Sequence, residues 1–106
     1  MIRLLMIGLS LLIFSGCAAH YHQVHGNDLF LYLNVPNAQK VVFACSLDGY
    51  QPHATHKEDG YWVIAVPGRE PFRYFYWLDD KFYLPDCRLK ESDDFGSQNC
   101  VYDPHL

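Results

Sequence analysis

Short runs of aromatic and β-branched residues, each closed by turn-forming residues, recur from Leu29 to Tyr102, and no window sustains a helical period with capping signals. The runs are Leu29–Val35, Val41–Cys45, Tyr61–Pro67, Phe72–Leu78, Lys81–Leu84 and Asn99–Tyr102. Pro36-Asn37, Asp59-Gly60 and Asp79-Asp80 separate them, and each is a dipeptide suited to reversing the chain. Turn signals at this density predict an all-β sandwich. The segment "KESDD" reads as a solvated charged loop.

In the fourth run, Phe72, Tyr74 and Tyr76 fall on one face, and Arg73, Phe75 and Trp77 on the other. Both faces are bulky, in a chain whose aromatic share is 16%. One face can fill a core. The other is either covered or left as an open platform. Open aromatic platforms with polar neighbours bind sugars, because a pyranose stacks its apolar face on a ring while amides and carboxylates take its hydroxyls. For any single ring, a place in the core is the plainer reading.

The amino terminus has a different character. Arg3 precedes an uncharged apolar stretch, Leu4 to Phe14, that falls short of the roughly 20 residues a membrane-spanning helix needs. It ends in "FSGC", which resembles the bacterial lipobox, with Cys17 as the lipid-bearing residue and Phe14 where Leu is usual. An ordinary secretory signal cleaved near Ala18-Ala19 is the alternative. The lipobox reading divides the chain into a signal peptide over 1–16, a lipidated tether over 17–28 and a β-sandwich over 29–106. Alanines rather than Asp after Cys17 point, by resemblance to known sorting rules, to the outer membrane of a bacterial envelope.

Removing Arg3 with the signal leaves 7 basic against 12 acidic residues, so the net charge moves from −4 to −5. That excludes nucleic acid as an expected partner. Ninety residues form one small domain with limited surface to bury, a size at which secreted proteins often add disulfides. With Cys17 lipidated, Cys45, Cys87 and Cys100 allow three pairings, each leaving one thiol. Cys87 with Cys100 closes a short polar loop and is the expected pair. The alternative keeps all three as reduced, buried small residues.

His20, His22 and His25 lie in a polar stretch from His20 to Asn27 that reads as part of the tether. His53 and His56 lie in a Pro-containing loop. Neither set has the cysteines or carboxylates that complete a metal shell, so no metal or other cofactor is expected. Adjacent Asp79 and Asp80 read as turn formers rather than a glycosidase pair, which must face each other across a bond. No nucleophile–base spacing stands out, and the chain is expected not to be an enzyme.

Taken in order, the motifs resemble the early-set, immunoglobulin-like module of α-glucan enzymes and of the glycogen-binding domain of the AMP-activated kinase β subunit. The residues that carry the resemblance are "LYLNVPNAQKVVFAC", "CSLDGY", "GYWVIAVPG", "YFYWLDDKF" and "FGSQNCVY", which together span nearly everything from Leu29 to Asp103. The resemblance implies an immunoglobulin-like (early-set) β-sandwich that binds α-glucan or a related carbohydrate. Tyr50 and Phe82 stand at the family's two stacking tryptophans, and Asn99 at its glucan-binding asparagine. Phe75 stands where the family has a sugar-contacting lysine, and Leu47-Asp48 where it has Phe-Asn. The alternative is a structural or protein-interaction lipoprotein that reuses the sandwich without binding sugar, since a fold does not carry its function with it.

Overall fold

The computed structural model describes residues 19–93 and 95–106. The expected signal peptide and Cys17 lie outside them. Ten strands run in the order β1 (His20–His25), β2 (Asp28–Leu33), β3 (Val41–Cys45), β4 (His53–Ala54), β5 (His56–Glu58), β6 (Tyr61–Pro67), β7 (Phe72–Leu78), β8 (Lys81–Tyr83), β9 (Lys90–Ser92) and β10 (Gln98–Tyr102). They form two packed antiparallel sheets. One has the order β1-β2-β6-β5. The other has the order β4-β3-β7-β10-β9, with β8 also paired to β7.

Alternation along the central strands builds the core. Leu29, Leu31 and Leu33 of β2 point inward, as do Val41, Phe43 and Cys45 of β3 and Phe72, Tyr74 and Tyr76 of β7. Each fully buried Leu or Phe contributes about 1.5–3 kcal/mol relative to an exposed one. The partners on β7 turn outward: Arg73 and Trp77 are exposed and Phe75 is half-buried.

Three two-residue turns close hairpins. Gly26 takes φ 65° at the first position of the β1–β2 turn, as a type II′ turn requires. Asp59-Gly60 between β5 and β6 and Asp79-Asp80 between β7 and β8 have positive φ at both positions, the signature of type I′. Asp79 also holds the chain between the Pro36-Asn37 turn and β3, from the adjoining end of β7 in the same sheet. Its Oδ1 accepts hydrogen bonds from the backbone N–H of Gln39 (3.0 Å) and Lys40 (2.8 Å), and its own N–H donates to the Lys40 carbonyl at 2.9 Å.

The stretch expected to be a polar tether is instead a strand. All six residues of β1 pair with β2. Tyr21 stacks on Tyr32 with centroids 4.6 Å apart and planes 5° apart. On the inner side His20 reaches the hydroxyls of Tyr74 and Tyr76 in the opposite sheet, at 3.5 and 3.3 Å. β1 therefore docks through histidines and a tyrosine, which read as polar and conceal a strand. The loop holding His53 and His56 is also partly strand. Thr55 between β4 and β5 is where the chain changes sheets, held by its N–H and Oγ1 on the Val41 carbonyl. "KESDD" begins with β9, whose Glu91 pairs opposite Asn99.

Cys87 and Cys100 form a disulfide across a sequence separation of 13 residues, and Cys45 is a free, buried thiol. Loop-closure entropy at that spacing stabilises the fold by about 3 kcal/mol. The bridge ties the segment before β9 to β10.

Candidate functional site

The outer face of the six-stranded sheet carries a row of rings. Phe75 is at its centre, projecting from the middle of β7. Phe82 comes from β8, opposite Trp77 in register. Tyr50 arrives from the loop after β3. A single 3-10 turn, Ser46–Asp48, leads into Gly49 and Tyr50, both in the left-handed region at φ 72° and 65°. The Tyr50 N–H returns to the Cys45 carbonyl at 2.8 Å, which folds the loop back over the sheet. Asp48 braces it from below by accepting from the Gln51 N–H and the His53 imidazole, and that imidazole holds the Asp48 carboxyl below its ordinary range.

Tyr50 stacks on Phe75 at 5.6 Å and 21°. Phe75 meets Phe82 at 5.1 Å and 39°, and Trp77 edge-on at 5.5 Å and 81°. Trp77 and Phe82 are 6.1 Å apart, also edge-on. Tyr50, Trp77 and Phe82 remain 36, 38 and 47% exposed. A glycine at position 49 matters here, because the left-handed conformation is strained for any residue with a Cβ.

A cleft opens on the other side of Phe75, lined by Tyr50, Arg73, Glu91 and Asn99, with Phe95 at its rim. The Arg73 guanidinium donates to Glu91 at 2.8 Å, and the Tyr50 hydroxyl also faces it. Both groups push the Arg73 pKa further above its ordinary value, so the guanidinium is a fixed cationic hydrogen-bond donor. Asn99 is 5% exposed and faces this cleft from β10. Among the described residues its carboxamide makes no side-chain hydrogen bond.

The structure thus brings the expected residues onto one surface, with an unexpected intermediary. Tyr50 and Phe82 do not touch. Each packs on Phe75, the residue that stood as a lost polar contact in the sequence comparison. Asn99 shares the cleft with Tyr50. Arg73 and Trp77 were also missed as site residues, although the alternation in "FRYFYWL" set them on the same face as Phe75. Asp79 and Asp80 are committed to the hairpin turn, Asp79 to the backbone of Gln39 and Lys40 and Asp80 to the Lys40 ammonium at 2.9 Å. Among the described residues no three His, Cys, Asp or Glu side chains come together as a metal site.

Two further groupings lie elsewhere. On the outer face of the four-stranded sheet, Tyr61 packs edge-on against both Tyr21 and Tyr32. The His20 ring also sits beside a partly open cleft of about 150 Å³ that His22 and Asp86 line. Burial lowers the His20 pKa to about 4, assisted by His22 and opposed by Asp86. Burial also pushes the Tyr74 and Tyr76 hydroxyls upward, so all three groups are neutral at neutral pH.

No family model matches the chain, and no curated protein matches it either.

Proposed function

We propose that this is a non-catalytic lipoprotein module of the bacterial envelope, anchored at Cys17 to the outer membrane, that binds α-glucan or a related carbohydrate on the outer face of its six-stranded sheet. In this reading the sandwich is of the early-set, immunoglobulin-like kind. The observation that carries the reading is the ring row Tyr50–Phe75–Phe82, half-open to solvent and bordered by the Asn99 carboxamide and the Arg73–Glu91 pair. Rings offer stacking area for pyranose faces, and the border offers donors and acceptors for hydroxyls.

The platform is shallow, and among the described residues no wall encloses a ligand from above. Affinity of roughly 0.1 to 1 mM follows, or about −5.5 to −4 kcal/mol. Titration of the purified protein with maltoheptaose and β-cyclodextrin, followed by NMR, tests this. Shifts are expected at Tyr50, Phe75, Trp77, Phe82 and Asn99. No shift with any glucan well above that range would leave the surface to its second reading, a protein-docking face. One observation favours that alternative: Phe95 is 93% exposed and Leu47 is 40% exposed at the margins of the same surface, which widens the apolar patch beyond the ring row.

A further inference from the structure

Strands at the rim of a sheet leave backbone amides and carbonyls unpaired, and proteins guard such rims with short strands, lysines or prolines. Among the described residues five strands have a free rim: β1, β5, β4, β9 and β8. Four of them are guarded. β5, β8 and β9 have three residues each and carry Lys57, Lys81 and Lys90, one per strand. β4 has two residues and follows Pro52. β1 is the exception. It has six residues, "HYHQVH", with no lysine, arginine, carboxylate or proline. Pairing with β2 along its whole length holds it extended, and so keeps its outer rim ready to accept another strand. Val24, on the inward side with His20 and His22, is nonetheless 54% exposed.

The geometry points to β1 as a homodimer interface, in which two copies of the chain pair β1 with β1 antiparallel about a two-fold axis and join their four-stranded sheets into one continuous sheet. An axis perpendicular to the sheet keeps inner faces on one side, so residues opposite each other share parity. The axis then passes through His22 or Gln23, at the middle of the strand. In either register no lysine, arginine or carboxylate of one β1 faces another across the axis. Val24 lies opposite His20 or His22 of the second copy, which covers its exposed side. A second copy fits better than the other rims of this molecule, whose Lys57, Lys81 and Lys90 oppose a foreign strand. The contact is isologous, and with one unguarded rim per chain it closes at two rather than growing into a fibre.

Sedimentation of the purified full chain in mild detergent, over a range of concentration, should show a monomer–dimer equilibrium. Val24→Lys puts an ammonium group on each side of the axis, opposite a histidine of the second copy, and should weaken association by about tenfold or more, while circular dichroism and the melting point of the dilute monomer stay unchanged. Gln23→Cys or His22→Cys, whichever marks the axis, should form an interchain disulfide in air. A wild type that is monomeric throughout overturns the assignment, including one that binds a foreign strand instead. So does a Val24→Lys variant that associates like wild type, or a dimer that neither cysteine variant cross-links.

Discussion

Both outer faces of the sandwich carry aromatic clusters, yet they use their rings differently. On the four-stranded sheet Tyr21 and Tyr32 lie face to face at 4.6 Å and 5°, with Tyr61 edge-on to both. Those rings give their faces to each other and cover Val63, which is fully buried. On the six-stranded sheet the rings spread along β7 and β8 at 5.1 to 5.6 Å from Phe75, tilted or edge-on for all but one pair. Polar groups adjoin both clusters: His56 and Glu58 pair opposite Val63 and Tyr61 beside the first, and Arg73, Glu91 and Asn99 line a cleft beside the second. The first is a brace that fastens β1 to the fold. The second leaves ring surface unused. Ring count alone does not distinguish the two. Ring orientation does.

The largest expected effect separates the two sheets by pH. His20 docks β1 from the inside, and its pKa is lowered to about 4 from an ordinary 6.5. Above pH 6.5 both folded and unfolded chains hold it neutral, and its contribution is complete. As pH falls from 6.5 to 4 the unfolded state takes up a proton that the folded state refuses, so stability falls. Each pH unit of that difference is worth about 1.4 kcal/mol, for a total of about 3 kcal/mol. Hydrogen-exchange protection, taken relative to the intrinsic rate at each pH, should fall first in β1 and β2 on acidification, while Phe75, Trp77 and Phe82 keep their environment. His20→Gln should flatten the pH dependence. Equal loosening of β7 and β8 would mean that the acid response is not local to β1.

A pair of truncations tests the division of labour more directly. Tyr32→Ala removes the stack under Tyr21 and should lower stability by about 2 kcal/mol, a partly buried aromatic costing less than the 3–5 of a core one, while glucan titrations stay unchanged. Phe82→Ala and Tyr50→Ala should do the reverse. Each should remove about 1 kcal/mol or more of binding, enough to erase a weak signal, and leave the melting curve nearly in place. Binding that depends on Tyr32 and not on Phe82 would exchange the roles of the two faces.

The same contrast explains what could be read in advance. Strands β2, β3, β6, β7, β8 and β10 were legible because their inward positions are apolar or aromatic and their ends carry turn residues. β1 was not, because its inward positions are His20, His22 and Val24, and a buried neutral histidine looks like a solvated one in a sequence. β4, β5 and β9 were not, because two or three residues each, drawn from His-Ala, His-Lys-Glu and Lys-Glu-Ser, show no period. At the site, Tyr50, Phe82 and Asn99 came from a family resemblance. That resemblance aligned Phe75 with a lysine, and so hid the ring on which both Tyr50 and Phe82 pack. Period-two alternation in β7 was the better guide to the centre of the surface.

The smallest effect concerns the turns. Both hairpins of the four-stranded sheet have a glycine at positive φ, Gly26 and Gly60, whereas the β7–β8 hairpin that presents Phe82 uses Asp79 and Asp80 at φ 48° and 68°. A side chain in the left-handed region costs about 1 kcal/mol, somewhat less for Asp. Asp79 offsets this by accepting from two backbone amides, so replacing it should destabilise the fold. Among the described residues Asp80 makes only an ion pair with Lys40, both side chains well exposed, and such pairs contribute between about 0 and 1 kcal/mol. Asp80→Gly should therefore stabilise the protein slightly, by about 0.5 kcal/mol, or about 2–4 °C in Tm for a domain of this size. Raising the salt concentration screens the ion pair in wild type and should widen the gap between the two proteins. A variant that melts lower than wild type at every salt concentration would show that the Lys40–Asp80 contact outweighs the backbone strain, and that the hairpin beneath Phe82 is held by charge as well as by its turn.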